Sequence, residues 1–235
     1  MKAILITLLS GLSFLLGYLI TKFVKNEKRL VIFSVGFSFT IILGLILFDL
    51  LPESLELMKS KYALVGFILS GILVLKILDV FVPDHSHSSD HTNHMEHIGL
   101  ISALALILHN IIEGTAIYSN AIGNTKVGLM MALAVSFHNI PLGIQVSSLV
   151  KKKNEKAILL FSLVLSSIIG IILIKIFNVT ISANVLGMLM SITLGMLIYI
   201  AFFELLCEIK EHFKDKTLWL GVVIGAILVL VGILL

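Results

Sequence analysis

Two short motifs hold the side chains with the most chemistry in this sequence. The first, HNIIEG (His109–Gly114), sets an imidazole and a carboxylate four residues apart within the apolar run LILHNIIEGTAIY. On a helix, that spacing projects His109 and Glu113 from one face, one turn apart. The second, HNIPLG (His138–Gly143), lies in AVSFHNIPLGIQVS and presents another imidazole. Two imidazoles and a carboxylate are ligands for a divalent cation. The pattern differs from HExxH, where one helix carries both histidines; here the ligands must come from two helices. Pro141 removes one hydrogen bond from the second helix and frees the carbonyl of Phe137 beside His138. Gly114 and Gly143 allow neighbouring helices to approach closely beside both motifs.

The elements that must position these groups follow from composition. Of 235 residues, 58% are hydrophobic and 13% charged, about half the charge of a soluble domain. The solvent for most of the chain is therefore lipid. A helix needs about 20 apolar residues to cross the hydrocarbon. Charges and turn formers cut the chain into eight such spans, near 3–23, 30–52, 61–82, 98–120, 126–150, 157–177, 183–207 and 217–235. These runs lack the alternation of a barrel strand and are about twice too long for one. The fold class is an all-α polytopic membrane protein, with residues 1–235 forming a single transmembrane domain. The first span, uncharged from Ala3 to Thr21 with no clear cleavage site, reads as retained rather than as a signal peptide.

Basic residues orient the spans. Twelve of the 17 lie after spans one, five and seven or near the end of span three, among them Lys25, Arg29, Lys76, Lys152 and Lys214. Lys2, Lys59, Lys61, Lys126 and Lys175 lie on the other side. Both termini are expected outside and those loops in the cytoplasm of a cell membrane. The connection Pro83–His97, PDHSHSSDHTNHMEH, is then a cytosolic loop holding five histidines, a composition that binds divalent metals in shifting geometries. The net charge of +3 is too small to indicate nucleic-acid binding, and the single cysteine, Cys207, excludes an internal disulfide or a Cys-rich zinc site.

A charge at the bilayer centre costs at least ~2.5–3.5 kcal/mol, so each intramembrane ionisable group points to function. That set is Asp49, His109, Glu113, His138 and Glu204, with Asp79 near a span end. His109 falls about eleven residues into span four, near mid-depth, and His138 is at a similar depth in span five. His, Glu and His are thereby expected to converge at the membrane midplane. Asp49 and Glu53 read as an outer vestibule that attracts cations; Glu204, Glu208 and His212 read as an inner exit beside the His-rich loop.

The motifs also repeat. HNIIEG and HNIPLG agree at four of six positions, as do FDLLPE (Phe48–Glu53) and FELLCE (Phe203–Glu208). Span two runs outward and span seven inward, so the second pair relates spans one to three to spans six to eight with inverted topology. Spans four and five are left as a central pair, a 3+2+3 arrangement. Inverted repeats around a midplane site mark secondary transporters.

With these motifs in place, the whole chain resembles the ZIP family of divalent metal transporters. HNIIEG and HNIPLG look like the family's paired HNxPEG-type motifs of helices four and five. FDLLPES looks like the end of its second helix, and GMLIYIAFFELLCE (Gly195–Glu208) like its seventh. The resemblance implies a transport site with His109, Glu113 and His138 as ligands. It places Asn110 and Asn139 at positions used by the second site of binuclear members. It further implies a homodimer and a rocking or elevator-like motion of one helix bundle against another. This chain departs from the pattern at Leu142, where the family usually has a metal-bridging glutamate. It departs again at Ser167 and Ile168, near a Glu-Pro of span six, and at Ile112, often proline. A single mononuclear site is therefore expected.

The expected function is import of a divalent metal into the cytoplasm. Zinc suits two imidazoles and a carboxylate best, with water as fourth ligand; Fe²⁺, Mn²⁺, Co²⁺ and Cd²⁺ fit the same donors. The metal is cargo, and no cofactor or enzymatic activity is expected. Two rival readings are a degenerate sensor or membrane scaffold, suggested by Leu142 and Ser167, and an intramembrane zinc hydrolase. The hydrolase lacks a second general base or an oxyanion donor.

Overall fold

A computed structural model describes residues 1–81, 91–177 and 182–234. Among these residues there are eight helices long and apolar enough to cross a membrane, and no strand. They are α1 (Lys2–Thr21), α2 (Glu27–Leu57), α3 (Lys61–Phe81), α4 (His91–Gly123), α5 (Thr125–Leu149), α6 (Lys153–Phe177), α7 (Ala183–Glu211) and α8 (Lys216–Leu234). Starts are set by side-chain caps: Asn26 accepts from Arg29 N at the start of α2, and Asn124 from Lys126 N and Val127 N at α5. At α8, Thr217 N donates to Asp215 Oδ1 at 2.7 Å, and that bond holds the Asp215 carboxyl below its ordinary range.

Four helices outrun the expected spans by four residues or more at one end, among them α6, which begins at Lys153. α4 begins at His91, so the last seven residues of the expected loop 83–97 are helix; residues 83–90 lie outside the described residues. α2 continues past Pro52 to Leu57, and α7 past Cys207 to Glu211. Each of these two contains a π-helical turn, Ile46–Leu50 in α2 and Ile200–Leu205 in α7. The wider turn opens the ladder just before Pro52, whose ring would clash with the carbonyl four residues back in a regular helix. Asp49 and Glu204 both sit within these turns and so lie well inside their helices, not at the ends.

The helices sort into two groups. α1, α4, α5 and α6 pack on one another, as do α2, α3, α7 and α8. Glycines make the crossings, which suits lipid, where close backbone approach replaces the hydrophobic drive to associate. A Cβ at Gly17 would lie 2.2 Å from the carbonyl oxygen of Ile140, and one at Gly143 would lie 2.3 Å from that of Phe14. Gly114 and Gly170 join α4 to α6 in the same reciprocal way, Gly36 and Gly221 join α2 to α8, and Gly71 and Gly195 join α3 to α7. Among the described residues, each glycine whose added Cβ would meet another helix meets one of its own group. Between the groups, α2 packs on α5 and α4 on α7, without such crossings. Side chains facing lipid are large and apolar, such as Leu5, Leu69, Phe161 and Leu230.

Candidate metal centre

The two helices that carry the motifs are neighbours, antiparallel and in contact. α4 presents His109 and Glu113 one turn apart, as their spacing dictates, and α5 brings His138 across to them. His109 Nε2 and His138 Nε2 each lie 3.0 Å from the same oxygen, Glu113 Oε1. The imidazole rings are tilted at 41° with centroids 6.1 Å apart. A carboxylate can only accept, so His138 donates from Nε2 in the hydrogen bond to Glu113. His109 and Glu113 are buried, and His138 retains some exposure.

These side chains suit a cation in size and in what they leave unsatisfied. Their ligand atoms lie within 4.8 Å of one another, and among the described residues they form the one group of three or more metal-ligating side chains. Ligands about 2.0–2.2 Å from a tetrahedral zinc are roughly 3.3–3.6 Å apart, so the 3.0 Å contacts need open only slightly. Glu113 Oε2 is buried without a hydrogen-bond partner, and His109 Nε2 has the proximity of one without the alignment. Buried polar atoms are ordinarily paired, and a metal ion would satisfy both. With two neutral imidazoles and one carboxylate, a bound dication keeps one net positive charge.

Pro141 lies inside α5, one turn from His138, and α1 packs directly against the backbone beside it: Gly17 backs onto Ile140 and Gly143 there. Irregular backbone at membrane depth is tolerated where protein covers it. Leu142, fully buried, fills the position at which a second carboxylate was expected to be missing. Ser167 is also fully buried, with its backbone against Gly114 and its hydroxyl against Gly11. That space does not hold a longer side chain.

The remaining expected site residues are placed around this triad. Asn110 donates from Nδ2 to Leu163 O at 2.8 Å and to Ser166 Oγ at 2.7 Å, which anchors α4 to α6. Asn139 donates to Ser10 O at 3.2 Å, which anchors α5 to α1. Both amide oxygens are buried and unpartnered. Asp49 is close enough to interact electrostatically with His138, Glu113 and His109, and Glu53 with Asp49 and Glu113. Glu204 is buried on α7 and its charge acts on Tyr199; it is not one of the three side chains whose ligand atoms cluster.

Two polar groupings join helices through pairings that the sequence does not show. Asp79 on α3 bonds to His97 Nε2 of α4 at 2.5 Å and accepts from Tyr199 OH of α7 at 2.8 Å, linking the two helix groups at one end. The sequence marks Asp79 as an ionisable group near a span end, but nothing in it pairs that carboxylate with His97 or Tyr199. Ser102 and Gln145 pair between α4 and α5. Each is seven residues from a motif histidine, a spacing that puts them on the same helix face.

Comparison with known proteins points to zinc transporters. A family model described as ZIP zinc transporter matches residues 83–233. The zinc transporter ZupT of Chlorobium phaeovibrioides is 30% identical to the chain, over 99% of this chain and 97% of its own length. The ZupT proteins of Streptococcus mutans and Clostridium perfringens are 27% and 26% identical, covering 99% and 100% of this chain and 97% and 96% of their own.

Proposed function

The chain belongs to the ZIP zinc transporter family, and from that premise we propose that it imports zinc across a cell membrane through one mononuclear site formed by His109, Glu113 and His138. Membership of a family of transporters sets aside the hydrolase reading. The observation that carries the proposal is the convergence of both imidazoles on one oxygen of the Glu113 carboxylate, at 3.0 Å each. Leu142 and the wedged Ser167 support a single ion, since neither position supplies a bridging carboxylate.

Asp49 and Glu53 serve as the approach from outside, both near enough for their charges to act on Glu113 and His109. Glu204 serves the opposite end, with Glu208 and His212, whose Oε2 and Nδ1 are 3.7 Å apart. The triad belongs wholly to the group α1, α4, α5 and α6, whereas Asp49 and Glu204 belong to the other. Motion of one group against the other would carry the ion from one acidic end to the other, and the confinement of glycine crossings within each group supports that division. A 3+2+3 inverted repeat is supported by three correspondences: the π turns at FDLLPE and FELLCE, the pair Gly17–Gly143 against Gly170–Gly114, and the pair Gly36–Gly221 against Gly195–Gly71. Both termini facing outward, by the basic-residue count, and a homodimer complete the reading.

Zinc flux into proteoliposomes tests it. Wild type is expected to carry zinc down a gradient, and His109→Ala and Glu113→Ala are expected to abolish that flux. Flux unchanged in both variants would remove the site; zinc binding without flux would favour a sensor.

A further inference from the structure

A second polar pair is buried two turns from the triad along the interface of α4 and α5. Ser102 precedes His109 by seven residues, and Gln145 follows His138 by seven. Each therefore shares a helix face with its histidine, about 10 Å closer to the end where α4 begins. Both side chains are fully buried. Gln145 Nε2 donates to Ser102 Oγ at 3.1 Å, and Gln145 Oε1 has no partner. An amide offers two donors and a two-lone-pair acceptor, so one hydroxyl leaves part of it unmatched whichever way the amide is turned. Just beyond, α4 and α5 close together: a Cβ at Gly99 would lie 2.9 Å from that of Leu149.

A packing role alone leaves the Gln145 amide oxygen without a partner. Leucine fills the volume of glutamine without leaving a polar atom unmatched, and such atoms are rare in native interiors. We propose that Gln145 Oε1 and Ser102 Oγ form a transit station of neutral oxygen ligands, which receives the divalent ion as it leaves His109, Glu113 and His138. The inference rests on the transport reading above and gives the ion a second stopping place. Neutral oxygens suit that role, because a site along a conduction path must attract an ion without retaining it. Hydroxyl and amide oxygens replace part of the hydration shell, and without a carboxylate they hold the ion more weakly than the triad does. The mutual hydrogen bond keeps both side chains in place between passages.

The test uses the full-length protein in proteoliposomes, with Cd²⁺ flux, Cd²⁺ binding and thermal unfolding measured on the same preparations. Gln145→Leu is expected to unfold no earlier than wild type and to bind Cd²⁺ at the triad unchanged. Its maximal flux should fall about tenfold, the effect of one lost polar contact, with KM unaltered. Ser102→Ala should show the same pattern more weakly. Gln145→Glu, which adds a charge at the station, should bind a second equivalent of Cd²⁺ where wild type binds one. A wild-type maximal rate in Gln145→Leu overturns the station, and so does a loss of rate that tracks weaker triad binding or earlier unfolding. If Gln145→Leu does not fold, the stoichiometry of Gln145→Glu decides, one equivalent overturning the proposal. Flux that survives both His109→Ala and Glu113→Ala would instead overturn the triad, absence of flux in wild type would overturn the transport reading, and the station falls with either.

Discussion

Replacing Gly114 with alanine should disable the metal centre without touching a ligand. A Cβ there would lie 2.1 Å from the carbonyl oxygen of Ser167, 2.6 Å from its Cα and 2.7 Å from its carbonyl carbon. All three are backbone atoms of α6, so no rotamer change relieves the clash. Going from 2.1 Å to the 3.4 Å at which ordinary contact begins means that α4 and α6 part by about 1.3 Å. Overpacking of this kind costs about 1–3 kcal/mol, roughly 2–12 °C in unfolding temperature for a chain of this size. Glu113 is the preceding residue, so the displacement passes to the carboxylate that both imidazoles contact at 3.0 Å. Metal sites tolerate errors of about 0.2 Å, and Cd²⁺ affinity should fall at least about tenfold, as it does on loss of an outer-shell partner. Isothermal titration and thermal melting in detergent measure both effects. Gly66→Ala is the matched control: nothing lies within 4 Å of its Cβ position, and alanine should stabilise α3 by about 0.5–1 kcal/mol. A Gly114→Ala protein that binds and melts like wild type would refute the close-approach argument.

Other perturbations separate charge, protonation and packing. Glu113→Gln keeps the shape and loses the charge; metal affinity should drop by at least about 10–100-fold with the fold intact, as circular dichroism would report. Histidine must be neutral to bind metal, so protons compete with the ion. Zinc flux should therefore fall on acidification, and a rate that stays constant between about pH 5 and 8 would contradict the ligand assignment. Asp79→Asn weakens the bonds to His97 and Tyr199; it should lower the unfolding temperature while leaving Cd²⁺ affinity at the triad unchanged, because none of the three side chains is a triad ligand.

The spans and the triad were legible in sequence because lipid imposes simple rules on composition. An ionisable group has few reasons to sit in hydrocarbon, so His109, Glu113 and His138 were conspicuous, and i, i+4 spacing fixed the relation of two of them. The ends of helices were less legible. Glu53, Glu56, Glu208 and Glu211 broke the apolar runs, yet helix continues through them because an interface tolerates charge. His91–His97 read as loop by composition, although Glu96 and His97 hold it as helix: Glu96 accepts from Lys151 N and Lys152 N, and His97 meets Asp79. Partner choice among helices was not legible at all. Gly17 and Gly143 look like any glycines in sequence, and only their crossing makes them a pair. The π turns were equally hidden, since no residue type encodes a wide turn, although the FDLLPE and FELLCE match marked both places. Ser102 and Gln145 were readable in principle from the seven-residue spacing, but a serine and a glutamine without charge drew no attention.

Zinc K-edge absorption spectroscopy of the loaded protein, with the zinc content per chain, addresses the mononuclear site most directly. One zinc per chain is expected, with two imidazole nitrogens at about 2.0–2.1 Å and oxygen completing a four-coordinate shell. Loss of the imidazole signal in a His109→Ala, His138→Ala double variant should follow. Two zinc ions about 3.5–4 Å apart, or a shell of oxygen alone, would contradict the account.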